Sequence, residues 1–182
     1  MSKPVKPRRK LSAAKTAMRK EGEPPRVGVF ICNCGVNIGG VVNVPEVVEY
    51  AKTLPNIAYA EGNLYTSSSE GLSKIKDAIK KHGLTRVVVA SCTPRTHEPL
   101  FRGACEEAGL NKYLFHMANI REHCSWVHPK EQEKATQKAK EIIRMAAAKA
   151  ALLEPQTEPE IDVLRSALVI GGGISGMSAA LS

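Results

Sequence analysis

Apolar positions along the chain follow two alternating rhythms. Short runs rich in β-branched residues, at Val27 to Ile31, Ile57 to Ala60, Arg86 to Ala90 and Tyr113 to Met117, read as strands. Between them, apolar residues recur every three or four positions, as on one face of a helix. Val44, Val47, Val48 and Ala51 form such a stripe behind Pro45, which suits the first turn of a helix running to about Leu54. Leu72, Ile75 and Ile79 form the next, with Ser67 and Glu70 at capping-box spacing and Gly83 as the stop. A third helix is predicted from near His97 and Glu98, with Pro99 in its first turn. It carries Leu100, Phe101, Ala104, Cys105 and Ala108 on one face and ends at Gly109. Strands alternating with helices predict an α/β fold, a parallel sheet with flanking crossover helices.

Beyond the fourth strand, Asn119 is placed to cap a short helix through Arg121, His123 and Trp126. Lys130 to Leu153 is a long helical pattern of mostly Ala, Lys, Glu and Met, which reads as a connector rather than a core element. Glu154 to Asp162, with Pro155 and Pro159, reads as a stiff acidic linker. The expected organisation is therefore a basic tail at 1–26, a cysteine-containing domain at 27–128, a connector helix at 129–153, a linker at 154–165 and a final segment at 166–182.

Charge changes this picture little. Of the net +8, the first 26 residues hold +7, from nine Lys or Arg against two Glu, which leaves +1 for the rest. A basic, Pro- and Ser-rich tail with few apolar residues reads as a solvated arm. No aromatic residues are interleaved with its charges for stacking on bases, so nucleic-acid binding is the weaker reading. No apolar run resembles a signal peptide or a membrane span. The five cysteines are an odd number and include two separated by one residue, which suits metal ligation better than a disulfide framework and favours a reducing, cytoplasmic setting.

Cys32 and Cys34 follow the first strand and Cys92 follows the third, so all three are expected at the carboxyl edge of the sheet. Thiolates there suit zinc or an iron-sulfur cluster, with Gly35, Gly39 and Gly40 allowing close backbone approach. The competing reading is that they are ordinary small buried residues. That reading is preferred for Cys105 and Cys124, which lie on apolar stripes. His97, His116, His123 and His128 show no spacing that demands ligation, His82 sits in the last turn of the second helix where a cap role suffices, and Arg95 and Arg121 can meet a phosphate or simply pair with Glu98 and Glu122.

At the other end, Ala167 to Ile170 reads as a strand, followed by Gly171, Gly173 and Gly176 in GxGxxG spacing and a helix beginning with Met177 to Leu181. This is the start of a dinucleotide-binding βα unit, in which the glycines permit a tight turn, approach to the pyrophosphate and helix-on-strand packing. The second strand and the ribose-binding acidic residue expected about 20 positions later are not in this sequence. The unit is thus truncated, and tight dinucleotide binding by this chain alone is not expected.

Four strings in order, FICNCGVNIGGVV, VVVASCTPRTHEPLF, ANIREHCSWVH and ALVIGGGISGMSAAL, resemble the start of the heterodisulfide reductase A-subunit family, over about Arg26 to Ser182. The resemblance implies a Rossmann-like amino-terminal domain with a [4Fe-4S] cluster, for which Cys32, Cys34 and Cys92 fall on available cysteine positions. It implies an FAD domain whose fingerprint is Gly171, Gly173 and Gly176. It further implies an oxidoreductase subunit in a cytosolic complex with other heterodisulfide reductase-type subunits and with ferredoxin or hydrogenase-linked carriers, its flavin splitting electron pairs. Such a segment is not expected to be an active enzyme alone. The family usually carries cysteine where NLYTSSSEG has Ser67, and a serine oxygen replaces a soft thiolate poorly. A lost or labile cluster, weak ligation by Ser67, substitution by a group such as Cys124, and an engineered Cys-to-Ser change all stay open.

Overall fold

In the computed structural model, residues 24–159, 161 and 166–182 are described. Most of the basic tail, and part of the linker, therefore lie outside the described residues. Among those described, four parallel strands form one sheet: β1 (Val27–Cys32), β2 (Ile57–Asn63), β3 (Arg86–Ser91) and β4 (Phe115–Asn119), in the order β2-β1-β3-β4. The connections are α1 (Val44–Lys52), α2 (Ser69–His82) and α3 (Pro94–Glu107). This is the parallel α/β arrangement that the alternating rhythm predicts, and the Rossmann-like domain that the family resemblance implies. β1 and β3 are buried along their whole length, as strands covered on both faces must be.

The chain runs from β1 outward to β2, returns across β1 to β3, and then continues outward to β4. The direction of winding thus reverses between β1 and β3, which places the switch point, where α/β sheets open a crevice, at the carboxyl ends of those two strands. On one face of the sheet Val29, Ile31, Val88 and Ala90 pack with Val44, Val47 and Ala51 of α1. On the other, Phe30, Val87 and Val89 pack with Ile75 and Ile79 of α2 and Phe101 and Cys105 of α3.

Local chemistry explains most boundaries. Asn43 caps α1, its side chain accepting from the Glu46 amide, with Pro45 in the first turn. Ser68 rather than Ser67 caps α2, accepting from the Gly71 amide at 3.1 Å, and Gly83 ends that helix at φ +56° in the left-handed region. α3 starts a turn earlier than its apolar stripe suggests, because Pro94 takes the first helical position. This leaves Pro99 inside the helix and Leu100 on its exposed side. β4 begins two residues late, since Tyr113 instead lies under the guanidinium of Arg102 and the ammonium of Lys112. The short helix after β4 is a single π turn, Arg121–Ser125.

The long helix α4 (Gln132–Ala151) corrects the expectation of a connector. Ala135, Ala139, Ile143, Ala146, Ala147 and Ala150 are buried, most of them against β1, β3 and α1. Alanines at this spacing let a helix lie close on a sheet, so a stripe too small to stand out as apolar forms half of one core layer. On the same face the Thr136 hydroxyl accepts from the Asn43 amide at 3.0 Å, tying α4 to the cap of α1.

After α4 the chain is held rather than loose. Asn111 donates to the Gln156 carbonyl at 2.9 Å, Lys112 pairs with Glu158 at 2.7 Å, and the Tyr113 hydroxyl bonds the same carboxylate. Ala167 to Ile170 makes no strand among the described residues, and Leu168 and Ile170 are exposed, because a single β segment has no neighbour to pair with here. α5 (Ile174–Leu181) begins three residues ahead of Met177 and follows the glycine turn.

Candidate metal centre at the carboxyl edge of the sheet

Strand ends at this edge are polar or thiol-bearing. Cys32 stands in register with Asn63, and Ser91 with Asn119. Of the seven buried polar or charged residues among those described, five lie at this edge: Asn63, Thr66, Ser91, Asn119 and Ser125. Burying polar side chains costs stability unless they are satisfied, so their concentration marks the edge as built for something other than packing.

The loop after β1 coils on itself. Asn33 donates its amide to the Asn63 carbonyl at 2.7 Å, and the Cys34 carbonyl receives the amides of Asn37 and Ile38. A β-carbon at Gly39 would lie 1.7 Å from Asn33 Oδ1, and one at Gly40 would lie 2.9 Å from the Val36 carbonyl. These glycines thus serve the loop's own close approach. A second loop clips onto the first. Asn119 Oδ1 accepts from the amides of Arg121 and Glu122, fixing the π turn. From that turn the Ser125 hydroxyl donates to the Asn37 carbonyl, and Trp126 Nε1 to Asn37 Oδ1 at 3.3 Å.

This clip sets Arg121 beside the thiols. Its guanidinium lies 5.0 Å from the centre of the Trp126 ring and pairs with Glu122 at 2.8 Å. Burial raises the Cys34 thiol pKa above its ordinary value, the neighbouring Cys32 adds to the rise, Arg121 opposes it, and Cys92 adds to it again. Cys32, Cys34, Cys92 and Arg121 therefore share one electrostatic neighbourhood. Cys92 Sγ also lies 3.4 Å from Nδ1 of His97, a partner that the five-residue spacing across a strand end and a helix start gives no reason to expect.

Ser67 lies half-buried in the turn after β2, at the same edge. Cys124 is engaged elsewhere, its thiol donating to the Ala135 carbonyl at 3.0 Å within the core, and Cys105 is fully buried on the inner face of α3. Among the described residues, no three His, Cys, Asp or Glu side chains are gathered closely enough to hold a metal ion. The thiols are thus neighbours without forming a closed ligand cage. His116 is half-buried, and burial followed by the charge of Lys149 lowers its pKa, which favours the neutral ring. His128 pairs with Glu131 at 3.2 Å.

At the far end of the chain, Gly171 has φ +121°, and a β-carbon at Gly176 would lie 2.0 Å from the Gly171 carbonyl. Helix α5 therefore turns tightly over the first glycine, as a phosphate-binding turn does.

Known proteins resemble this chain closely. An A-subunit-like protein of heterodisulfide reductase from Archaeoglobus profundus is 57% identical over 159 residues, 87% of this chain and 23% of the relative. The second iron-sulfur A-subunit of CoB–CoM heterodisulfide reductase from Methanopyrus kandleri is 58% identical over 159 residues, 87% of this chain and 24% of its own length. The chain belongs to the heterodisulfide reductase A-subunit family. A further member, the A-subunit of the H(2):CoB-CoM heterodisulfide,ferredoxin reductase of Methanothermobacter marburgensis, is 55% identical over 159 residues, again 87% of this chain and 24% of its own. No family model matches the chain. The chain spans about a quarter of the length of the curated A-subunits it matches.

For a heterodisulfide reductase A-subunit, the donor set fits a soft iron-sulfur group in part. Three thiols and a ring of buried polar groups flank the switch point, while the hydroxyl of Ser67 is a hard donor. The burial pattern also sets a chemical expectation. Burial pushes the thiols of Cys105 and Cys124 up to about 12 and about 11, whereas Cys34 and Cys92 are partly exposed. Alkylation of the folded, metal-free protein at pH 8, read by peptide mass spectrometry, is expected to label Cys34 and Cys92 and to spare Cys105 and Cys124 until denaturant is added.

Proposed function

We propose that this chain is the iron-sulfur end of an electron relay in a heterodisulfide reductase-type assembly, with the thiolates of Cys32, Cys34 and Cys92 as ligands of a [4Fe-4S] cluster. The observation that carries this reading is the placement of the three thiols at the carboxyl ends of β1 and β3, which flank the switch point, close enough for Cys34 to feel both of the others. The name of the Methanopyrus kandleri relative, an iron-sulfur subunit, supports it. A cluster held there supplies one-electron transfer. The chain's own residues bind its iron, shield it behind the 33–37 loop and the π turn, and set the Arg121 charge beside it. Other heterodisulfide reductase-type subunits and ferredoxin or hydrogenase-linked carriers are the proposed partners, in the cytoplasm. The glycine turn at Gly171, Gly173 and Gly176 is proposed to contribute to an FAD site. On that reading the chain is part of an oxidoreductase rather than an enzyme in itself.

The test is anaerobic purification, followed by visible absorbance and a count of iron and acid-labile sulfide. About four irons per chain is expected, with most of that iron lost in Cys34→Ser. A protein that stays colourless and iron-free after reconstitution would sink the cluster reading. A second reading, a docking module without a cluster, draws on the apolar side chains exposed around the same edge, namely Val36, Leu64, Tyr65, Trp126 and Val127. It requires an iron-free protein that still assembles with other subunits.

A further inference from the structure

Three buried side chains at this edge have no hydrogen-bond partner among the described residues. Neither amide atom of Asn63 is satisfied, nor is the hydroxyl of Thr66 or that of Ser91, although the residues are only 4%, 0% and 3% exposed. Buried polar atoms in a folded protein are nearly always paired, so an orphan asks for a missing partner. Each of these stands next to a proposed or candidate ligand position. Asn63 is in register with Cys32, Ser91 precedes Cys92, and Thr66 precedes Ser67.

Their chemistry narrows the partner further. An amide and two hydroxyls can all donate, and the atoms expected in their midst, thiolate sulfur and inorganic sulfide, can only accept. Thr66 is also held in place. A β-carbon on Gly71, in the first turn of α2, would stand 2.5 Å from the Thr66 carbonyl, so the helix presses directly on that turn. Asn63 and Ser91 are likewise fixed, by backbone bonds from Asn33 to the Asn63 carbonyl at 2.7 Å and from Ile120 to the Ser91 carbonyl at 2.8 Å.

We propose that Asn63, Thr66 and Ser91 are a preformed seat of hydrogen-bond donors to the sulfur atoms of the cluster site, and that they set its reduction potential. The inference rests on the cluster reading above and deepens it. A donor to sulfur stabilises the added negative charge of the reduced state, so it raises the potential. Without the cluster the same three groups are a liability, because they are desolvated and unpaired.

The experiment uses the 182-residue chain and its variants Asn63→Leu, Thr66→Val and Ser91→Ala, with Thr66→Ser as the conservative control. Iron per chain, the midpoint potential from an anaerobic titration followed by absorbance, and the Tm of the iron-free protein are measured for each. The expected result is full iron with a potential shifted downward in all three variants, a wild-type potential in Thr66→Ser, and iron-free variants melting no lower than the wild type. Full iron with wild-type potentials throughout would overturn the inference while leaving the cluster reading intact. A wild-type chain that takes up no iron would overturn both, and the iron count separates the two failures. Should one variant fail to fold, the other two still decide the matter.

Discussion

Ile143→Ala is expected to lower the unfolding free energy by about 2–5 kcal/mol, although it lies in the helix whose sequence most resembles a solvent-exposed connector. Ile143 is 0% exposed and packs with Ile31, Val88 and Ala139 in the layer that α4 shares with α1. Truncating it removes apolar area and leaves a cavity that the neighbouring alanines are too small to fill. Lys134→Ala, on the exposed side of the same helix, is expected to move stability by less than about 0.5 kcal/mol. Urea unfolding of the two variants checks both values. Equal and small effects would mean that α4 is not part of the core.

Gly71→Ala is expected to cost about 3 kcal/mol, the upper end of what over-packing does, because the obstruction is backbone. The new β-carbon would stand 2.5 Å from the carbonyl oxygen of Thr66 and 2.7 Å from that of Tyr65, and neither can rotate away. Relief would require α2 to lift from the turn that carries Thr66 and Ser67, so the edge should loosen together with the fold. Gly103→Ala is the matched control. Gly103 lies in α3 with nothing within 4 Å of a new β-carbon, and the change is expected to stabilise by about 0.5–1 kcal/mol through the lower helix cost of alanine. Thermal melts of the pair, moving in opposite directions, separate crowding from any generic effect of replacing glycine.

The contrast between these residues shows what a sequence discloses. The stripe Val44, Val47, Val48 and Ala51 announces α1 and its buried face, and Gly83 announces the end of α2, because large apolar side chains and a left-handed cap act locally. The alanines of α4 are silent, since alanine is equally at home against solvent and against a sheet, and only the surrounding layers decide. Pro99 misleads, because a proline tolerated inside a helix looks the same as one that starts it.

At the edge, strand ends fixed by β-branched runs are enough to place Cys32, Cys34 and Cys92, and apolar spacing is enough to place Cys105 in the core. The stacking of Arg121 on Trp126, the approach of His97 to Cys92 and the orphaned Asn63, Thr66 and Ser91 are not legible there. Each depends on where separate loops meet in space. A polar residue that is buried and unpaired leaves no mark in the order of amino acids.

The anchoring of Glu158 by Lys112 and Tyr113 turns the stretch behind α4 into a short leash. Positions 158 and 171 are thirteen apart, and a fully extended chain covers at most ~3.3–3.6 Å per residue. The glycine turn, which begins at Gly171, therefore cannot travel more than about 47 Å from that anchor, whatever lies between. Any protein surface that captures α5 is by this restraint kept at high local concentration beside the α3–β4 side of the sheet. Breaking the Glu158 contacts together with the bond from Asn111 to the Gln156 carbonyl would lengthen the leash back to the end of α4, enlarging the volume that the turn can search and diluting every encounter within it.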